Sequence, residues 1–141
     1  MSSDSETGIR ATPEQMTRHH IFVVNGSVSF LDLVRELLQE ENYNVTTTNF
    51  LPDTFATIET AKPSLLLIDL AVGERAGWNL LAGLRHGATT HRIPVILVST
   101  TPSLLDRARE EHAALGGDRY LTKPFDLDDL LAMVEDLIGK A

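Results

Sequence analysis

From Ile21-Phe22-Val23-Val24-Asn25-Gly26 into Ser27-Val28-Ser29-Phe30-Leu31-Asp32-Leu33-Val34 the chain changes its apolar pattern from continuous to helical. A short unbroken run of largely β-branched residues is expected of a strand covered on both faces. Asn25 and Gly26 end it. Val28, Leu31, Val34 and Leu38 then recur at helical spacing, with Phe30, Leu33 and Leu37 beside them, and Ser27 or Ser29 stands where a cap is needed.

The alternation repeats down the chain. Val45 to Thr48 predicts a weaker strand, and Leu51, Phe55 and Ile58 one face of a short helix with Pro52 in its first turn and Pro63 stopping it. Leu65-Leu66-Leu67-Ile68 is a second continuous strand, ended by Asp69, and a glycine-bearing loop from Ala71 to Gly77 leads to a helix over Trp78 to Arg85. Val95-Ile96-Leu97-Val98 predicts a strand ended by Ser99, and Leu104 to Leu115 a helix closed by Gly116-Gly117. Tyr120-Leu121 is a short fifth strand before Lys123-Pro124. In the last helix Leu127, Leu130, Leu131, Val134, Leu137 and Ile138 share a face, Asp126 can cap it, and Phe125 and Leu130 are spaced for a hydrophobic staple. Five strands alternating with five helices predict an α/β domain, a doubly wound parallel sheet with helices on both faces. Ligands in such sheets gather at the carboxyl ends of the strands.

Residues 1–19 carry no sustained apolar pattern and are expected to be a disordered arm; 20–141 form the domain. Among 141 residues, Lys and Arg number 12 and Asp and Glu 20, a formal charge of -8. That sign argues against nucleic acid or an anionic membrane as partner. The chain has no cysteine, which excludes disulfides, thiolate metal sites and a cysteine nucleophile. No run approaches the roughly 18 apolar residues of a membrane span, and the opening lacks the apolar core of a secretory signal. A cytoplasmic protein is the expectation.

The strand ends hold Asn25-Gly26, Asp69, Ser99-Thr100 and Lys123, which the fold brings to one rim. An aspartate there can be a metal ligand, a base or a nucleophile, and attack on a phosphoryl group needs cationic help, for which Lys123 is suited. The five histidines, His19, His20, His86, His91 and His112, show no metal-ligand spacing with Asp or Glu.

Taken together, Ile21 to Gly26, Leu65 to Asp69, Gly77 eight residues on, Ile93 to Ser99 and Tyr120-Leu121-Thr122-Lys123-Pro124-Phe125 resemble the receiver domain of two-component response regulators, single-domain chemotaxis-type proteins included. The resemblance covers residues 20 to 139. It implies a flavodoxin-like sheet of order 2-1-3-4-5, with Asp69 as phosphoacceptor from a histidine kinase or phosphotransfer protein. It further implies Ser99 as the hydroxyl that binds the phosphoryl group, Lys123 as its ion partner, Tyr120 as the aromatic switch and Lys123-Pro124 as a cis bond. Such a protein is a signalling switch and not an enzyme beyond self-phosphorylation and slow self-dephosphorylation. Its output is a downstream protein, and it is a monomer or a weak dimer through the fourth helix, fifth strand and fifth helix.

The pattern breaks after the first strand, where the family carries two carboxylates that hold magnesium with the phosphoacceptor. Asn25 can reach a metal only through water, and Gly26 offers no side chain. Asp69 and the backbone carbonyl of Ala71 remain, with Glu74 as the nearby carboxylate that can substitute. Magnesium binding is therefore expected to be weak or absent. Gly73 stands where the family often has proline, and the bulk of Thr100, in place of a small residue, can restrict access to Asp69. A phosphorylation-independent binding module is the alternative. In it Lys123 forms a structural ion pair with Asp69, and Tyr120 and Trp78 serve packing.

Overall fold

The computed structural model describes residues 19–71, 75–110 and 118–140. The strands are β1 (His20–Val24), β2 (Asn44–Thr48), β3 (Leu65–Asp69), β4 (Val95–Ser99) and β5 (Arg119–Thr122). The helices are α1 (Val28–Glu40), α2 (Thr54–Ala61), α3 (Ala76–His86), α4 (Pro102–Glu110) and α5 (Leu127–Ile138). All the strands pair in parallel in the order β2-β1-β3-β4-β5, so the switch in strand order lies between β1 and β3.

The continuous apolar runs are needed because alternate side chains of one strand enter two separate cores. Phe22, Val24, Leu66, Ile68, Val95 and Leu97 join residues of α2, α3 and α4 on one side of the sheet. Ile21, Val23, Leu65, Leu67, Ile96 and Val98 meet α1 and α5 on the other. Every residue of β2 is only half-buried, as suits an edge strand, which is why its sequence pattern is weaker. Tyr43 ties the edge to the end of α5, its hydroxyl donating to the Gly139 carbonyl at 2.7 Å.

Several local expectations change. Leu51 lies outside α2 and is 52% exposed, and Pro52 sits in the preceding turn instead of the first helical turn. The Thr54 hydroxyl organises that turn, accepting from the Leu51 N–H at 2.9 Å and donating to the Asn49 carbonyl at 3.2 Å. Val28 and Leu33 of α1 face solvent, leaving Leu31, Val34 and Leu38 to fill the core. Ser27 is the residue that caps α1, accepting from Phe30 N–H at 3.3 Å. Asp126 holds the cap position of α5 without a side-chain cap bond. Helix α4 begins two residues before Leu104, at Pro102, where a missing N–H costs nothing. Its expected close at Gly116-Gly117 lies outside the described residues, as do residues 1–18. The His19 carbonyl accepts from Asn44 N–H at 3.0 Å, beside the start of β1. Among the described residues no helix is long and apolar enough to cross a membrane.

Candidate functional site

The pleat sorts the strand-end residues. Asp69 is the last residue of β3, on the side of the sheet taken by Leu65 and Leu67. Val24 is level with Ile68, so Asn25, one step beyond β1, is level with Asp69 and faces the same side. Lys123 follows Leu121 onto that side as well, whereas Ser99 follows Val95 and Leu97 to the opposite one. Neighbouring strands lie about 4.8 Å apart, so Asn25 and Asp69 are immediate neighbours at the switch point.

Lys123 Nζ lies 2.9 Å from Asp69 Oδ1, and both side chains are more than four-fifths buried. The ammonium also stands 4.2 Å from the centroid of the Phe30 ring, which itself meets Phe125 edge-on at 6.1 Å. Lysine is thus held between a carboxylate and an aromatic face, both of which favour its charge. The Lys123-Pro124 bond is cis, as the resemblance implies. The Lys123 N–H donates to the Ser99 carbonyl at 2.8 Å, locking the end of β5 to β4.

Ser99 is fully buried, and its hydroxyl donates to the Leu70 carbonyl at 2.6 Å while accepting from Thr101 N–H at 3.1 Å. It shapes the turn after β4 and ties it to the end of β3. Gly77 explains itself in the same region: a Cβ there would lie 2.5 Å from the Asp69 carbonyl oxygen, so the start of α3 can pack on the site only without a side chain. Tyr120 is half-buried against the α3 and α4 core, beneath the Arg109 guanidinium at 4.5 Å. Trp78 is 8% exposed, with the Arg107 guanidinium 5.1 Å from its ring. Thr100 is exposed and lines, with Phe30, Leu33, Lys123 and Phe125, a mostly apolar groove of about 420 Å³ beside the ion pair.

The donors available to a divalent cation are few. Asn25 is 2% exposed, and its Oδ1 already accepts from Ser27 N–H at 2.8 Å. Gly26 carries nothing, although a Cβ there would come no nearer than 3.8 Å to Asn49 Oδ1, so space does not forbid a carboxylate. Asp69 is engaged by Lys123, Ala71 is half-buried at the head of its loop, and Gly73 and Glu74 lie outside the described residues. Among the described residues no group of three or more His, Asp or Glu side chains converges. Magnesium needs near-octahedral oxygen ligands and is usually held by one or two carboxylates; toward such a set the described residues bring the Asp69 carboxylate and the Ala71 backbone carbonyl. Two features escaped the sequence: Phe30 over Lys123, whose sole signal was an aromatic residue in the first turn after the β1 rim, and Asn25 Nδ2, which is buried without a hydrogen-bond partner.

A model of the response regulator receiver domain matches residues 21–135. The chain belongs to the response regulator receiver family. Among curated relatives, the receiver is 26% identical to protein PilG of Pseudomonas aeruginosa, covering 82% of this chain and 84% of that one. It is 31% identical to the transcriptional regulatory protein CpxR of Klebsiella pneumoniae, over 86% of this chain but only 50% of the relative, so it spans half of that regulator. The chemotaxis response regulator CheY4 of Vibrio cholerae superposes with a TM-score of 0.75 at 22% identity, covering 86% of this chain and 99% of that one. Family membership places the receiver in two-component signal transduction, in a family whose domains work by their own phosphorylation and dephosphorylation rather than as turnover catalysts.

Proposed function

We propose that this protein is an atypical receiver in which Asp69 accepts a phosphoryl group from a histidine kinase or phosphotransfer protein, with weakened or absent magnesium dependence, and signals by protein contact. The observation that carries this is Asp69 at the switch-point end of β3, its carboxylate 2.9 Å from a buried lysine, with no group of three or more metal-ligating side chains among the described residues. A carboxylate oxygen of Asp69 attacks phosphorus in line, and the leaving group departs with the electron pair of the broken bond. Because the nucleophile is a carboxylate, no base is required. Lys123 neutralises the phosphoryl oxygens as charge develops, the part that positioning and electrostatics play in phosphoryl transfer. For its hydroxyl to reach the product, Ser99 must surrender its bond to the Leu70 carbonyl and turn toward Asp69 across the end of β4. That exchange gives the β4–α4 turn a second arrangement, to which Tyr120 and the face of α4, β5 and α5 respond.

One observation favours a second reading, a module that binds its partner without phosphorylation: the Asp69–Lys123 pair is already complete, and Phe30 covers the lysine. Incubation with acetyl phosphate, followed by intact-mass spectrometry, separates the two. A gain of one phosphoryl mass, lost in Asp69→Asn, is the expected result. No gain in the wild-type protein, with or without magnesium, establishes the second reading.

A further inference from the structure

Asn25 stands where the family places an acidic residue, and its amide is oriented by the fold. Ser27 N–H donates to Oδ1 at 2.8 Å, which assigns the oxygen to the turn into α1 and leaves Nδ2 on the opposite edge of the amide. That nitrogen is buried and has no hydrogen-bond partner, the one such side-chain atom among the described residues. A buried donor left unmade is worth roughly 5- to 150-fold in an equilibrium constant, so a ligand that supplies an acceptor there gains affinity. Parallel register sets Asn25 level with Asp69 on the same side of the sheet, and Lys123 Nζ approaches Asp69 Oδ1 from the other neighbouring elements.

We propose that Asn25 Nδ2 and Lys123 Nζ form a metal-free oxyanion subsite at Asp69, which holds a tetrahedral phosphoryl group where a typical receiver holds a divalent cation. The inference rests on Asp69 as the phosphoacceptor for its covalent form and stands without it for the free anion. Charge accounts for the exchange of ligand. Among the described residues the site's side chains are one carboxylate, one ammonium and one amide, Asp69, Lys123 and Asn25, which together carry no net charge. After transfer the Asp69 carbonyl carbon bears a phosphoryl dianion through one ester oxygen, and the ammonium and the amide N–H are donors to its free oxygens.

The test uses the whole chain as wild type, Asn25→Asp and Asn25→Ala, with acetyl phosphate as donor, in excess chelator and in millimolar magnesium, read by intact mass. The Asn25→Asp variant retains an oxygen for Ser27 N–H, so it preserves the turn while replacing the donor by a charged acceptor. In the labelling step the Asp69 O–P bond forms, the P–O bond to acetate breaks, and acetate leaves with that electron pair. The wild type is expected to label equally in both buffers. Asn25→Asp should lose at least about fivefold in chelator, the lower bound for one buried donor, and regain label with magnesium. Asn25→Ala should lose label in both. Equal labelling of Asn25→Asp and wild type in chelator overturns the inference; so does wild-type labelling that requires magnesium, which leaves Asp69 standing as acceptor. Absence of any wild-type label overturns the Asp69 reading instead, and thermal unfolding in chelator with inorganic phosphate then decides the subsite. Phosphate should raise the midpoint of the wild type and not of Asn25→Asp, and equal or absent protection overturns it.

Discussion

Replacing Gly77 by alanine tests the way α3 is seated against the phosphoacceptor strand. The added Cβ would lie 2.5 Å from the Asp69 carbonyl oxygen and 2.9 Å from Leu70 Cδ2. Leucine can rotate away, but the carbonyl belongs to the sheet backbone, so helix and strand must separate. Forcing an extra carbon into a packed site costs about 1–3 kcal/mol, and an approach of 2.5 Å to fixed backbone belongs at the upper end, about 2–3 kcal/mol. Alanine returns at most about 1 kcal/mol of helix propensity, leaving a net loss of about 1–2 kcal/mol. For a domain of this size that lowers the thermal midpoint by about 4–8 °C. The same change at Gly83, six residues further along α3, meets the Phe55 ring, Cδ1 at 3.4 Å and Cε1 at 3.6 Å, a contact an aromatic ring can absorb. Gly83→Ala should therefore be neutral or stabilising by up to about 1 kcal/mol. Urea and thermal unfolding of both variants give the comparison within one helix. Wild-type stability in Gly77→Ala, or losses of equal size in the two variants, refutes the steric account.

At the opposite end of the sheet Asp118 Oδ2 accepts from Val95 N–H at 2.8 Å and pairs with Arg85 at 3.3 Å, while Arg85 also donates to the His91 and Ile93 carbonyls. Asp118→Ala leaves the fully buried Val95 without that acceptor and should cost about 1–3 kcal/mol in urea unfolding. Asp118→Asn keeps an oxygen there and should cost less, since an ion pair with a 40% exposed carboxylate contributes under about 1 kcal/mol; equal losses would show the charge to dominate. His20 has its pKa pushed below the usual histidine value by burial, and its Nε2 lies 2.7 Å from Thr46 Oγ1. Because the fold favours the neutral ring, His20 contributes stability above its unfolded pKa of 6.5 that is lost as pH falls through its lower folded value. The urea midpoint should fall on acidification below 6.5 more steeply in wild type than in His20→Gln, and parallel profiles would refute the assignment.

Much of the site was legible because the fold places strand ends at one rim, and the residues that follow apolar runs are countable. Asp69, Ser99 and Lys123 are candidates reached in this way, and of these the structure pairs Asp69 with Lys123. What was not legible depends on direction. Sequence spacing does not say that Ser99 faces away from Asp69 and Lys123 across the pleat, nor that its hydroxyl is occupied by the Leu70 carbonyl. Nor does a period of 3.6 distinguish Leu31, which is buried, from Leu33, which borders a solvent groove, because the width of the covered stripe depends on where α1 sits over β1.

By itself the amino-acid order determined the α/β class, the number of strands, the rim at which the chemistry gathers and the loss of the acidic pair at Asn25 and Gly26. These follow from local patterns: continuous apolar runs, helical periods and the identity of the residue that ends each strand. Tertiary structure decided which of those residues meet. Parallel register put Asn25 level with Asp69, the Ser27 N–H fixed the amide's orientation, and the packing of α1 laid Phe30 over Lys123. Contacts between residues far apart in the chain depend on register and on how each helix seats on the sheet, and neither is written in any one segment.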